Sequence, residues 1–228
     1  MSAPVTQQPS RGVAVPVAVG VVVAAVVAAL VVVGLVVALT EDRLPTGPAL
    51  PPPVSFDAPT RVVRYAGVTT RMPGTPYVCP GSPDSVPPLL SSGLLCDATV
   101  HADYDGTSDW SATAGFGSVA DDLVRPTAAA TARAFFDAFR GVGFDNRTTT
   151  LGAVTTDQVD LDGRPVALIS GNVGYTVSGV PSSYDRVLVI VLPVEDGDFA
   201  VYLSSRPDDT PEATLGVLNA SIDGLSYE

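Results

Sequence analysis

The sequence contains no lysine: all 12 basic residues are arginines, and 228 residues include one histidine and two cysteines. Without lysine the chain has no Schiff-base chemistry, no Walker-type phosphate loop and no Ser-x-x-Lys acyl-transfer motif. One histidine and two cysteines also provide too few nitrogen and sulfur ligands for a zinc centre. These absences exclude several common classes of enzyme, and we expect no metal or cofactor.

Positive charge is scarce throughout. The chain after residue 39 has 11 arginines against 24 aspartates and glutamates, which gives it a net charge of −13. Such a surface repels nucleic acids and anionic lipid headgroups. We therefore expect neither as a ligand.

A long uncharged segment lies near the start of the chain, from Val13 to Leu39. As a helix it would extend about 40 Å, more than the roughly 30 Å of a bilayer core. Signal peptides have shorter apolar regions and a small-residue cleavage pattern, which is missing here. The first cysteine, Cys79, lies too far downstream for a lipoprotein. The sequence therefore predicts an uncleaved transmembrane helix at residues 13–39.

The flanking charges predict the orientation of this helix. Arg11 lies on the amino-terminal side, whereas Glu41 and Asp42 outweigh Arg43 on the other. By the positive-inside rule, residues 1–12 form a cytoplasmic tail and the rest of the chain lies outside the cell membrane. The abundance of alanine, valine, glycine, proline and arginine is typical of a high-GC bacterium. We expect a single-pass protein of the cell envelope.

Small residues recur every four positions within the predicted membrane helix, at Gly20, Ala24 and Ala28. This spacing places them on one face, where two helices can approach closely. The spacing is compatible with a homodimer, but the favoured interpretation is that alanine and glycine are simply frequent in this segment.

Residues 40–60 form the predicted linker. The stretch "LPTGPALPPP" is rich in proline, which favours an extended polyproline-type conformation. The remaining 61–228 segment is long enough for one domain with a single core. We expect the linker to hold this domain away from the membrane.

Cys79 and Cys96 are the only cysteines. Outside the cytoplasm such a pair usually forms a disulfide, and the spacing does not match a redox or metal-binding C-x-x-C motif. Closing a loop of this length stabilises a fold by about 3 kcal/mol in the chain-entropy model. We expect the disulfide to enclose a proline- and serine-rich loop, "PGSPDSVPPLLSSGLL".

Hydrophobic patterns predict two helices. The first spans residues 126–141, between Pro126-Thr127 and Gly141. Its apolar stripe consists of Ala132, Phe135, Phe136 and Phe139. The second begins near Pro211, with Asp209 and Glu212 at capping-box spacing. Its apolar stripe consists of Leu215, Leu218, Ile222 and Leu225.

Strand patterns surround these helices. One strand is predicted at 61–71, and a hairpin turns at Asp105-Gly106 with Val100, Ala102 and Tyr104 on one face. Further strands are predicted at 154–161, 165–177, 186–194 and 199–204. Asp162-Gly163 and Asp196-Gly197 are typical hairpin turns. The predicted fold class is α+β, an antiparallel sheet with two helices packed on one face.

The run "VDLDGRPVALISGNVGYTV", followed by "RVLVIVLPVEDGDFAVYLSSRPDD" and the terminal helix, resembles the closing half of the PsbP-like fold, as found in LpqN-type envelope lipoproteins of actinobacteria. The earlier "AGVTTRMPGTP" is similar to the opening of that fold. The resemblance covers mainly residues 150–228. It implies a non-catalytic envelope domain that binds or supports another molecule, and we expect that molecule to be an envelope protein partner or a small ligand.

The segment "HADYDGTSDWSA" is the most suggestive local cluster. Asp103, Asp105 and Asp109 fall at the third, fifth and ninth positions of a calcium loop, but His101 and Ala112 do not fit its first and last positions. A weak calcium site is one interpretation. The other is an acidic hairpin turn facing solvent.

Catalysis by an extracytoplasmic hydrolase is the alternative function. It would use the acidic residues of the 101–109 hairpin, or His101 with Asp103 and Ser111 as a triad, although no G-x-S-x-G motif is present. The loop "SGVPSSYDR", with Tyr184 and Asp185, is a candidate contact surface. The leading hypothesis is a non-catalytic binding or scaffold domain, with a small-ligand carrier as a further alternative.

Overall fold

The computed structural model describes residues 53–144 and 147–228. The predicted cytoplasmic tail, the transmembrane helix 13–39 with Gly20, Ala24 and Ala28, and most of the linker lie outside the described residues. Within the described ranges no helix is long and apolar enough to cross a membrane.

The described chain folds into strands and two α-helices, with two short 3-10 helices at 121–123 and 195–197. The strands are β1 (Ser55–Asp57), β2 (Val62–Tyr65), β3 (Val68–Arg71), β4 (Asp84–Val86), β5 (Leu90–His101), β6 (Trp110–Val119), β7 (Thr150–Leu161), β8 (Arg164–Gly174), β9 (Tyr184–Pro193), β10 (Phe199–Pro207) and β11 (Ser226–Tyr227). The helices are α1 (Ala128–Val142) and α2 (Glu212–Asp223). The predicted α+β class is confirmed.

The large sheet has seven antiparallel strands in the order β4-β5-β6-β10-β9-β8-β7. Asp162-Gly163 joins β7 to β8, and both residues have positive φ (54° and 79°). Asp196-Gly197 lies between β9 and β10 with φ of 62° and 83°. Aspartate followed by glycine tolerates this left-handed backbone, which matches the strand twist. The four predicted strands and these two turns are confirmed.

A second, small sheet has the order β1-β2-β3-β11. Ala66-Gly67, with φ of 47° and 79°, turns the chain between β2 and β3. The prediction of one continuous strand at 61–71 is therefore wrong. The linker boundary also needs correction, since β1 and the buried Val54 precede residue 61 and belong to the fold.

The two helices pack on opposite faces of the large sheet, which corrects the prediction that they share one face. Phe136 of α1 lies in a buried cluster with Val189 of β9. Leu218 of α2 lies in the other cluster with Ile190 of β9 and with residues of the small sheet. Successive side chains of a strand point to opposite faces. The uninterrupted apolar run of β9 is the sequence pattern of a strand buried on both sides.

The helix starts differ in how well they were predicted. Thr127 caps α1, because its hydroxyl accepts a hydrogen bond from the Ala130 N–H at 3.2 Å. Pro211 occupies the corresponding position of α2 without a side-chain cap. The capping role predicted for Asp209 is therefore wrong: its carboxylate bonds Ser182 and His101 instead.

The predicted disulfide between Cys79 and Cys96 is confirmed. Cys96 is fully buried in β5, and its side chain belongs to the cluster shared with the small sheet. The enclosed segment is more ordered than predicted, because it contains β4 and the first half of β5. The disulfide thus connects the large sheet to the chain just beyond the small one.

The hairpin between β5 and β6 also differs from its prediction. β5 ends at His101 and β6 begins at Trp110, so Ala102 and Tyr104 lie in the connection and not on a strand face. Gly106, with φ of 90°, lies within this longer connection.

Substituting Gly117 of β6 tests the close approach of β5 and β6. A Cβ there would collide with the Ser92 carbonyl oxygen and lie 2.7 Å from the Gly93 Cα. We expect Gly117→Ala to lower the free energy of unfolding by about 1–3 kcal/mol, as overpacking does. Urea denaturation monitored by circular dichroism measures this change.

Gly216→Ala is the matched control. Gly216 lies inside α2, and a Cβ there meets nothing within 4 Å. Alanine should stabilise the helix by up to about 1 kcal/mol. Equal effects of the two substitutions would contradict the packing argument.

Candidate functional site

A pocket of about 540 Å³ opens on one face of the large sheet. Helix α1 packs over β8 and β9 on this face. The pocket lies beyond its carboxyl-terminal end, over β5, β6 and the start of β9. Its lining residues are Val86, Pro87, Leu89, Leu95, Asp97, Tyr104, Ser108, Asp109, Trp110, Ser111, Thr113, Phe139, Val142, Gly143, Arg147, Asp185 and Ser205.

The floor of the pocket is polar. Ser111 and Thr113 of β6 and Ser205 of β10 line it, and Thr113 pairs directly with Ser205 across the two strands. Thr113 also donates a hydrogen bond of 2.6 Å to Asp97 of β5. Further along β10 the same face carries Leu203, which belongs to the α1 core. The sheet face therefore changes from apolar under the helix to hydroxyl-rich in the pocket.

Asp185 is the most unusual floor residue, because this acidic residue is only 3% exposed. It accepts a hydrogen bond of 2.6 Å from the Tyr175 hydroxyl and one of 2.7 Å from the Ser205 hydroxyl. The Tyr175 hydroxyl in turn accepts a hydrogen bond of 3.0 Å from the Trp110 Nε1–H. These four side chains form one buried chain of hydrogen bonds, which we call the floor network.

Burial dominates the electrostatics of the floor network. It raises the pKa of Asp185, although the hydrogen bonds from Tyr175 and Ser205 act in the opposite direction. Burial also raises the pKa of Tyr175, and the neighbouring Asp185 charge adds to this effect. The Tyr175 phenol therefore keeps its proton at neutral pH and serves as a fixed donor.

Aromatic side chains form a wall above the floor. The rings of Tyr104 and Trp110 meet edge to face, with centroids 5.8 Å apart. The Arg147 guanidinium lies 5.7 Å from the Trp110 ring centroid and donates a 2.8 Å hydrogen bond to the Tyr104 hydroxyl. Trp110 also packs on Tyr175 at 4.6 Å. The wall is thus held by the same tryptophan that starts the floor network.

The acidic hairpin contributes one carboxylate, Asp109, to the pocket. Asp109 accepts hydrogen bonds from the Thr99 hydroxyl and from the Asp103 N–H. Asp105 lies away from the pocket, where backbone N–H groups of Thr107 and Ser108 bond its carboxylate and lower its pKa. In the described ranges no group of three or more His, Cys, Asp or Glu side chains could hold a metal ion. The calcium site gains no support from this geometry and stays a prediction.

His101 does not form the predicted contacts with Asp103 and Ser111. Its Nε2 lies 2.8 Å from the Ser182 Oγ and 3.1 Å from the Asp209 carboxylate. Ser182 also donates a short hydrogen bond to Asp209. In a catalytic triad, opposite nitrogens of the ring face the nucleophile and the acid. Here one ring nitrogen faces both residues, so the cluster does not have the arrangement of a triad. Its hydrogen bonds connect β5, the loop before β9 and the segment before α2.

Burial alone would raise the pKa of Asp209, but hydrogen bonds from Ser182 and His101 outweigh it and leave the pKa lowered. This cluster contributes stability above the usual aspartate pKa, and the contribution is lost as the pH falls through the lowered value.

The predicted contact loop needs one correction. β9 begins at Tyr184, so both Tyr184 and Asp185 lie in a strand. Asp185 is buried in the floor network and cannot meet a protein partner directly. Tyr184 is 36% exposed, and its contact role stays a prediction.

Most of the site was missed from the sequence. Trp110, Tyr175 and Ser205 come from three separate strands or strand ends, and no spacing rule connects them. The one usable signal was the single tryptophan of the chain directly after the acidic hairpin.

Asp185→Asn tests the cost of the buried charge. Because the folded-state pKa of Asp185 is raised, the wild type loses stability as the pH rises from the unfolded-state value near 4 through the folded-state value. Asparagine keeps the shape of the side chain and does not titrate. We expect the difference in free energy of unfolding to shift in favour of the variant between pH 3 and pH 7, as measured by urea denaturation.

Asp157→Asn is the control, since Asp157 is an exposed carboxylate of β7 with no side-chain hydrogen bond among the described residues. It reports the effect of removing one charge from an acidic surface. The argument from burial would be wrong if the two variants showed the same pH dependence of the free energy of unfolding. It would also be wrong if Asp185→Asn lost stability relative to the wild type as the pH rose.

No protein-family model matches the sequence, and no curated protein matches it either. Among solved structures, the chain is similar to the solution structure of cyanobacterial PsbP (CyanoP) from Synechocystis sp. PCC 6803, with 12% sequence identity and a TM-score of 0.45. The match covers 81% of this chain and 96% of that chain. This likeness carries no argument about function, and the more specific resemblance to LpqN-type proteins stays a prediction.

Proposed function

We propose that this protein is a non-catalytic binding protein of the cell envelope, anchored by residues 13–39 with its folded domain outside the membrane. Its ligand is a small molecule rich in hydrogen-bond donors, uncharged or positively charged, which binds in the pocket beside α1. The observation that carries the proposal is the floor network of Trp110, Tyr175, Asp185 and Ser205 beneath an open cavity.

The floor network fixes polar groups before any ligand arrives. A buried carboxylate is costly unless hydrogen bonds compensate it, and Asp185 has two hydroxyl donors. Networks of this kind hold side chains in one conformation. Binding sites gain affinity when their polar groups are ordered in advance. The pocket therefore has the rigidity that small-ligand sites need.

The charge of the lining indicates the ligand chemistry. Asp97, Asp109 and Asp185 all line the pocket, and Arg147 is the one basic residue among the described residues that line it. Carboxylates accept hydrogen bonds and repel anions. The Trp110 and Tyr104 rings add flat apolar surface above them. Amines and polyols fit this combination of acceptors and aromatic faces better than acids do.

The hydrolase alternative has weaker support. The single histidine directs one nitrogen to both of its partners, which leaves no relay from an acid to a nucleophile. The Asp105 carboxylate is used within its own turn. A binding role needs none of these groups to react.

Native mass spectrometry of the full chain, gently extracted from its own membrane, tests the proposal directly. We expect an additional non-covalent mass below about a kilodalton that disappears on denaturation. Trp110 is the only tryptophan and lines the pocket, so its fluorescence gives a second readout when amines and polyols are titrated.

Filling the pocket with a larger side chain should weaken ligand binding. Ser111 lies on the floor and Val142, 38% exposed, lies at the rim. We expect Ser111→Phe and Val142→Phe to weaken binding at least tenfold, about 1.4 kcal/mol. Fluorescence titration with the compound found by mass spectrometry measures the loss.

Val159→Phe is the matched control, because Val159 is a similarly exposed valine of β7 outside the pocket. It should bind as the wild type does. Equal binding by all three variants would place the ligand elsewhere, and no bound mass together with no fluorescence response would overturn the proposal.

A further inference from the structure

Two arginines lie side by side on the opposite face of the large sheet from the proposed ligand pocket. Arg186 of β9 and Arg206 of β10 are direct cross-strand partners. Asn172 of β8 is the next partner of Arg186 in the same row. Residues paired in this way place their side chains on one face, close together.

Like charges directly opposite each other destabilise a sheet. The chain has twice as many acidic as basic residues, yet neither guanidinium has an ion pair or hydrogen bond among the described residues. Other arginines do have such partners, as Arg64 has in Glu228 and Arg133 in Asp137. The arginine pair is therefore an unbalanced positive site on an acidic protein.

The two guanidinium groups face a common cavity of about 240 Å³ between the sheet and α2. Ser204 of β10, Ser170 of β8 and Asn219 of α2 line the same cavity. Ser204 is 3% exposed as a residue, and its hydroxyl has no hydrogen bond to any described residue. The hydroxyl is therefore available to donate a hydrogen bond to a group bound in the cavity.

The electrostatics agree with this geometry. Burial lowers the pKa of Arg206, and the charge of Arg186 lowers it further. Because an arginine stays protonated at any physiological pH, both positive charges persist at the cavity.

We propose that the cavity between α2 and the sheet binds a phosphate group, held by Arg186 and Arg206 with hydrogen bonds from Ser204 and Asn219. Two guanidinium charges balance one dianion. Arginine presents several donors in a planar fork that matches phosphate oxygens. The cavity has room for an inorganic phosphate or the phosphate end of a small ester.

Calorimetric titration of the full chain with inorganic phosphate, in nanodiscs of neutral phosphatidylcholine, tests the site. We expect saturable binding at pH 7.5 that weakens at least tenfold in Arg186→Gln and in Arg206→Gln. Arg71→Gln is the control, since Arg71 is exposed at the end of β3 and outside the cavity. No saturable binding, or an equal loss in all three variants, would overturn the proposal.

Arg206→Glu separates binding from folding. It converts the arginine pair into an opposite-charge pair, so thermal stability should rise while phosphate binding disappears. A fall in melting temperature would mean that Arg206 supports the fold, against the proposal. Lowering the pH from 7.5 to about 6 should weaken the binding of inorganic phosphate but not that of sulfate, because phosphate loses its second charge over this interval and sulfate keeps both of its charges.

The same titration in nanodiscs containing phosphatidylglycerol distinguishes two sources of the phosphate group. Unchanged binding of inorganic phosphate supports a soluble ligand. If the wild type binds inorganic phosphate more weakly in phosphatidylglycerol than in phosphatidylcholine nanodiscs, the lipid headgroup competes for the cavity. Arg206→Gln should then show no difference between the two kinds of nanodisc.

Discussion

The pairing of β6 with β10 holds the two halves of the large sheet together. β4, β5 and β6 come from the first part of the described chain, and β7 to β10 from the last. Their junction is one antiparallel ladder, from Ser205 opposite Thr113 to Ala200 opposite Ser118. Each of its residues contributes to a buried face or to a pocket floor. The ladder therefore contributes side chains to both buried clusters, the one under α1 and the one shared with α2 and the small sheet.

The two proposed binding surfaces lie back to back on this sheet. Asp185 and Arg186 are neighbours in β9, but their side chains point to opposite faces. Ser205 and Arg206 repeat the arrangement in β10. An acceptor-rich pocket and a positively charged cavity therefore share the same two strands. One sheet thickness separates opposite electrostatic environments.

Local patterns made the secondary structure of residues 150–228 predictable. Aspartate-glycine turns and alternating residues depend only on neighbours in sequence, and α1 with its cap was placed to within two residues. The packing of α2 was not predictable in this way. The face of the large sheet on which α2 packs depends on the small sheet. That sheet includes β1, which comes from the segment assigned to the linker.

Most of the candidate sites could not be predicted either, because they also depend on contacts between residues far apart in the sequence. The floor network joins residues from 110 to 205, and the arginine pair becomes visible only once β9 and β10 are in register. The acidic hairpin attracted attention because its carboxylates are close in sequence. In three dimensions, one of these carboxylates, Asp109, lines the same pocket as the distant Asp185, whereas Asp105 lies away from it.

The position of the disulfide determines how the domain would bear mechanical load. A pull on the chain before β1 first meets three-residue and four-residue strands paired at the edge of the small sheet. Once these have separated, tension reaches Cys79 and passes through the sulfur bridge directly to Cys96, in the interior of β5. The 80–95 segment is bypassed and cannot lengthen. Tension would therefore extend the small sheet first, while the strands that carry both pockets remain paired.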